Sequence, residues 1–145
     1  MIPRSIPGLF VVLDASVWVS RLVAQDQFHE ETKVWMEEQR DAGMQFISPT
    51  LLLAEVGGAI SRRTDEPLLG KRVIAQLESM PGLRLVEMDN ELVHRAANLA
   101  AELGLRGADS VYVAVAHQLK LPLVTFDVDQ RMRAKDLVTF QTVGK

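Results

Sequence analysis

Five short apolar segments, separated from one another by helix-patterned stretches, constrain this chain more than any other feature. Phe10-Val-Val-Leu13 runs without a polar break and contains two β-branched residues, as a strand covered on both faces does. Gln45 to Ser48, Leu83 to Met88, Pro122 to Phe126 and Leu137 to Gln141 read as the other four strands. Helices are expected at Ser16 to Leu22, Phe28 to Ala42, Thr50 to Arg63, Leu68 to Met80, Glu91 to Leu103, Ala108 to Leu119 and Gln130 to Lys135. Gly43 is placed to stop the second helix, and Pro49 stands where a helix readily begins. Asp89 is a natural N-cap, Gly104 and Gly107 bracket a short connection, and Ala108, Val111, Val115 and Leu119 form one apolar stripe. Strands alternating with helices imply an α/β fold, a mostly parallel sheet with helices on both faces. Such sheets gather ligands outside the carboxyl ends of their strands, at a switch in strand order.

The chain has 145 residues, no internal repeat and no linker-like stretch, so a single domain over 1–145 is expected. No apolar run approaches the roughly 18 residues a membrane helix needs. The start has one basic residue, Arg4, and then the apolar run Leu9 to Leu13, which ends in Asp14. That is too short for a signal-peptide core and lacks a small-residue cleavage site. With no cysteine there are no disulfides or thiolate metal sites, and a cytoplasmic location is the expectation. A net charge of −3 gives no global attraction to nucleic acid, although a local basic rim can still hold phosphates.

Four acids can converge on the sheet edge where such a fold binds ligands, two of them following strands and two carried by helices. Asp14 directly follows the first strand and Asp127 follows Leu123-Val-Thr-Phe126. Each also suits a helix N-cap, and Gln130 would complete a capping box with Asp127. Asp109 opens a helix, where the helix dipole favours an acid in any case. Glu55 is the most telling. At helical spacing its neighbours are Leu51, Leu52, Gly58 and Ala59, so its charge needs compensation. A cation would provide it, with Gly57 and Gly58 leaving room, or the carboxylate could reach an arginine such as Arg62. Several carboxylates converging on one sheet edge repel one another unless a cation or protons neutralise them. Hard oxygen donors, with no Cys and no paired-His spacing among His29, His94 and His117, point to Mg²⁺ or Mn²⁺ rather than zinc. A site of this kind suits metal-assisted phosphodiester hydrolysis, which needs no protein nucleophile.

The segments Val11-Val-Leu-Asp14-Ala-Ser16, Ser48-Pro-Thr-Leu-Leu-Leu-Ala-Glu55, Gly107-Ala-Asp109-Ser-Val-Tyr-Val-Ala-Val-Ala116 and Leu123-Val-Thr-Phe-Asp127, in this order, cover nearly the whole chain. Together they resemble the PIN-domain family, and in size and layout the VapC toxin group of toxin–antitoxin systems. The resemblance implies a three-layer α/β/α sandwich with a five-stranded parallel sheet and Mg²⁺- or Mn²⁺-dependent endoribonuclease activity. It also implies a homodimer, and a VapB-like antitoxin that covers the acidic site in a heterotetramer or larger assembly. By position, Asp14, Glu55, Asp109 and Asp127 would be the acidic set, Ser16 and Thr125 would orient ligands or water, and Asp129 is an additional ligand candidate.

Arg21, Arg62, Arg63, Arg106 and Arg131 lie near these motifs and are candidates for gripping RNA phosphates, each against the plainer reading of a solvated charge. Trp18 and Trp35 could stack bases, but on helices of this length core or dimer packing is the commoner role. Asp127-Val-Asp129 is also similar to the aspartate pair of haloacid-dehalogenase-like phosphatases. That family places the pair after its first strand, whereas only 16 residues follow Asp129 here. The other alternative is a PIN-like module that binds RNA or protein without cutting.

Overall fold

A computed structural model describes residues 9–144; Arg4, the segment ahead of Leu9 and the two ends of the expected 1–145 domain lie outside it. The elements are β1 (Phe10–Leu13), α1 (Ala15–Leu22), α2 (His29–Asp41), β2 (Gln45–Pro49), α3 (Leu51–Thr64), α4 (Pro67–Glu78), β3 (Leu83–Val86), α5 (Asn90–Leu103), α6 (Gly107–Leu119), β4 (Leu123–Val124), α7 (Val128–Ala134) and β5 (Phe140–Gln141). All pairings in the five-stranded sheet are parallel, in the order β3-β2-β1-β4-β5.

The apolar runs read from sequence have the predicted consequence. Successive residues of a strand point to opposite faces, so Phe10 and Val12 enter one core and Val11 and Leu13 the other. The first core adds Leu92 and Ala96 of α5 and Val111 to Ala116 of α6. The second adds Trp18 of α1, Trp35 and Met36 of α2, Leu52, Val56 and Ile60 of α3, and Val73 and Leu77 of α4. Helices therefore cover both faces, which gives the three-layer α/β/α sandwich. Trp18 and Trp35 are core residues: both pack on Phe46, at ring distances of 5.9 and 6.2 Å. Among the described residues no helix is long and apolar enough to cross a membrane.

Several boundaries differ from the sequence reading. The β4 ladder stops at Val124, because Phe126 donates its N–H to Ser16 Oγ at 3.1 Å instead of to a neighbouring strand. β5 begins at Phe140 rather than Leu137, since the N–H groups of Leu137 and Val138 turn back to Ala134 O. β3 ends at Val86, whose carbonyl accepts from Thr50 N at 2.9 Å. Pro49 closes β2 rather than opening α3, which starts at Leu51 with no side-chain cap from Thr50. α6 has no single apolar stripe, because every residue from Ser110 to Ala116 is buried, as in a helix enclosed all round.

Gly57 and Gly58 serve packing rather than the approach of a metal ion. A Cβ on Gly57 would stand 2.7 Å from Ile74 Cδ1, and one on Gly70 would stand 2.8 Å from Gly57 O, so the two glycines let α3 and α4 cross closely. A Cβ on Gly58 would stand 3.1 Å from Arg62 Nη1. The cation lying over that position is a guanidinium from the same helix.

Candidate active site

Strand order reverses direction at β1, which has β2 on one side and β4 on the other, so the crevice of such a sheet lies beyond the carboxyl ends of β1 and β4. Asp14 leaves β1 at this point. Its N–H continues the ladder to Val124 O at 3.0 Å, and its buried carboxylate caps α1 by accepting from Ser16 N at 3.1 Å. The same oxygen, Oδ2, accepts from Thr125 Oγ1 at 3.1 Å. Thr125 Oγ1 in turn accepts from Asp127 N at 3.0 Å and lies 3.4 Å from Ser16 Oγ. Ser16 and Thr125 thus bind the two strand-end aspartates into one network.

Asp127 caps α7, accepting from Gln130 N at 3.0 Å through Oδ1. The capping box is only half made. Asp127 N donates to Thr125 Oγ1 rather than to the Gln130 side-chain oxygen, while Gln130 Nε2 donates to the backbone oxygen of Asp109 at 3.2 Å, so one fully buried residue ties the second and third aspartates together. Asp109 lies in the first turn of α6, half-buried, beside the N-cap residue Arg106. Glu55 comes from α3 on the opposite face of the sheet and meets Tyr112 of α6, whose hydroxyl donates to Glu55 Oε1 at 2.7 Å.

Asp109 feels the charges of Asp14, Asp127 and Glu55, and Asp14 feels that of Asp127. Burial raises the pKa of Asp14, opposed by its hydrogen bonds from Ser16 and Thr125, and the charge of Asp127 raises it further. Burial also raises Glu55, with Tyr112 opposing and Asp14 adding to the rise. Asp109 is pushed up to about 6, by burial first, then by the charges of Asp14 and Asp127 and, more weakly, Glu55; Arg106 opposes. The ion pairs among the described residues are Arg63–Asp26, Arg95–Glu91 and Arg133–Asp129, so none neutralises the cluster. As the side chains stand, the described residues hold no group of three or more acids or histidines arranged to bind one metal ion.

The remaining candidates scatter. Asp129 turns to Arg133 one turn along α7, with Nε 2.9 and 3.0 Å from its two oxygens, rather than towards the cluster. Arg21 ends α1, Arg62 and Arg63 end α3, Arg63 is held by Asp26 at 2.9 Å, and half-buried Arg131 lies on α7. His94 and His117 are exposed; His29 Nδ1 contacts Ser20 O at 2.9 Å. Sequence reading missed Tyr112 and Gln130. The signal for Tyr112 was present, since it follows Asp109 by three residues and so shares a helix face with it.

Two expected results follow from this geometry. A carboxylate whose pKa is raised in the fold holds a proton that the unfolded chain has already released, so it favours the fold at low pH. Its contribution is lost as pH rises from the unfolded value near 3.8 through about 6 for Asp109. Asp14 and Glu55 act with the same sign. Urea denaturation in the presence of a chelator is therefore expected to give a less stable protein above about pH 7 than near pH 5; a flat or rising profile would contradict this electrostatic picture. Separately, Tyr112→Phe leaves the half-buried Glu55 without its donor and should cost about 1–3 kcal/mol in the same assay. No measurable loss would mean that the hydrogen bond is replaced by solvent.

A five-stranded parallel sheet with helices on both faces, and acids beyond its strand ends, places the chain among the three-layer α/β/α proteins. The particular family is given by the match of residues 11–136 to the PIN domain model: the chain belongs to the PIN-domain family. No curated protein matches it. Among solved structures it is similar to VapC20 of Mycobacterium tuberculosis, described as a sarcin–ricin-loop-cleaving toxin, at 18% identity and a TM-score of 0.71, over 84% of this chain and 93% of that one. It is also similar to VapBC-1 from nontypeable Haemophilus influenzae, at 16% identity and a TM-score of 0.65, over 94% and 99% of the two chains. A third similar structure is FitAcB from Neisseria gonorrhoeae, at 20% identity and a TM-score of 0.65, over 90% and 96%.

Proposed function

We propose that this chain is a divalent-cation-dependent endoribonuclease and the toxin of a toxin–antitoxin pair. The observation that carries the reading is the gathering of Asp14, Glu55, Asp109 and Asp127 at the sheet's switch point, where burial and then the charges of the other acids lift Asp109 to about 6, with no ion pair to a basic side chain among the described residues. The donor set is all hard oxygen, which fits Mg²⁺ or Mn²⁺. Asp14, Asp109 and Asp127 would hold the ion, with Glu55 closing on it by small side-chain movements. When bound, such an ion lowers the pKa of a water and offsets charge on the leaving oxygen of the phosphodiester.

The chain's own residues do the positioning. Ser16 and Thr125 fix Oδ2 of Asp14, and the α7 cap fixes Oδ1 of Asp127. Tyr112 holds Oε1 of Glu55 against the charge of Asp14. Arg106, which acts favourably on ionised Asp109, would meet a phosphate at the rim. The similarity to VapBC complexes supports a VapB-like antitoxin that presents a basic side chain to the cluster, and an assembly built on a toxin homodimer.

A non-cutting PIN-like module is favoured by one observation, the lack of three side chains already arranged around an ion among the described residues. The two readings separate in RNA-end sequencing of bacterial cells after brief induction of the wild-type chain, with Asp109→Asn as control. New discrete 5′ ends seen only with wild type are expected. Indistinguishable profiles at equal levels of folded protein would favour the module.

A further inference from the structure

The helix that brings Glu55 to the acid cluster also carries a cation away from it. Successive turns of α3 present Glu55, Ala59 and Arg62, the last about 10 Å further along the axis. Beside this stripe opens a groove of about 400 Å³ whose lining includes Ser16, Asp26, Phe28, Ala59, Arg62, Arg63 and Phe126. Ser16 joins the groove to the site, because its N–H caps onto Asp14 and its hydroxyl holds Phe126 N at 3.1 Å. The aromatic wall is a stacked pair, with the Phe28 and Phe126 rings 4.5 Å apart and 13° from parallel, both only half-buried.

The two arginines of the groove differ. Arg63 is committed to Asp26, which also accepts from Phe28 N at 3.0 Å and so pins the loop that carries the ring. Arg62 is exposed, takes part in none of the ion pairs among the described residues, and lies back over Gly58. A Cβ at position 58 would stand 3.1 Å from Arg62 Nη1, so the guanidinium lies close over this glycine.

We propose that this groove is a nucleotide subsite: it takes one unpaired nucleotide of the RNA strand beside the bond to be cut, its base against the Phe28–Phe126 pair and its phosphate on Arg62. The inference rests on the ribonuclease reading and adds to it the residues that receive one base and one phosphate beside the cut bond. Aromatic rings with a neighbouring cation are the usual means of holding unpaired nucleotides, and a paired base has no free face to offer them. The volume falls in the range of roughly 300–1,000 Å³ typical of small-ligand sites. A basic protein segment reaching for the acid cluster would be repelled at this end by Arg62, whereas a phosphate is attracted.

The test is fluorescence anisotropy with a labelled single-stranded RNA octamer and an RNA duplex, in the full chain carrying Asp109→Asn to prevent cutting. Phe28→Leu, which keeps an apolar side chain over Phe126, should weaken single-strand binding roughly five- to a hundredfold. Arg62→Ala, at an exposed position, should weaken it several-fold and lower the slope of log K against log salt by about one. Duplex binding should be unchanged in both. Unchanged single-strand affinity and salt slope in both variants would overturn the subsite, as would equal losses for duplex. Variants that lose only the binding of a basic antitoxin peptide would assign the groove to a protein and overturn it as well. Cleavage by the otherwise wild-type chain separates the two levels: cutting that is unaffected by Phe28→Leu and Arg62→Ala removes the subsite alone. Groove-dependent single-strand binding without any cutting keeps the subsite and removes the ribonuclease reading.

Discussion

Asp109→Asn is expected to reduce RNA cleavage at least about a hundredfold, the scale on which loss of one preorganised electrostatic group acts, while leaving the fold no less stable at neutral pH. Burial first, and then the charges of Asp14, Asp127 and Glu55, lift the pKa of Asp109 to about 6. The amide keeps the shape of the side chain and its place in the first turn of α6, and it removes one of the charges that a cation would answer. The same change relieves repulsion in the metal-free protein, so its chemical denaturation midpoint above about pH 7 should rise or stay level. Single-turnover cleavage with Mn²⁺ and urea denaturation with a chelator provide the two measurements. A variant that keeps more than about a tenth of wild-type cleavage, well short of the loss such a group should cause, would take Asp109 out of the site. A variant that unfolds would show the carboxylate to be structural.

Trp18→Ala should cost about 3–5 kcal/mol, the largest stability effect of any single substitution considered, because a large, fully buried side chain leaves a cavity that the core cannot collapse to fill. Trp18 packs edge-on to Phe46, and its Nε1 donates to Ser48 Oγ at 3.1 Å. Ser48 Oγ then donates to Leu13 O at 2.6 Å, the carbonyl immediately before Asp14. Loss of the ring therefore reaches the strand end that carries the acid. Trp18→Phe retains most of the volume and forfeits one hydrogen bond, so it should cost only about 1–3 kcal/mol. Equilibrium unfolding in urea distinguishes the two. A loss below about 2 kcal/mol for Trp18→Ala, less than cavity creation at such a site costs, would mean that the layer between α1 and the sheet is loosely packed.

The order of elements was legible because burial and periodicity are local properties of the chain. A four-residue apolar run such as Phe10–Leu13 can be satisfied only where both faces are covered, and the structure places its alternate residues in the two cores. The ends of the shorter strands were not legible. Leu137 and Val138 are as strand-like as Phe140 by composition, and only the turn closing α7 decides that their N–H groups return to Ala134. The apolar setting of Glu55 signalled a carboxylate in need of compensation, but its donor, Tyr112, lies 57 positions away in sequence. The glycines after Glu55 misled for a related reason. Small residues in a helix announce a close approach without saying what approaches, and here it is Ile74 at Gly57 and Arg62 at Gly58.

By itself the sequence determined the alternation of strands and helices, the two-sided burial of the sheet, and the acids that stand at strand and helix ends, since each follows from side-chain type and spacing over a few residues. Tertiary structure alone decided which strand neighbours which, and hence that Asp14 and Asp127 flank one crevice. It also decided that Gln130 ties Asp109 to Asp127, that Asp129 faces Arg133, and that a groove with an aromatic wall opens beside Ser16. These are relations between distant parts of the chain. They come from the packing of whole elements, whose apolar faces each could be buried in several ways until all were buried together.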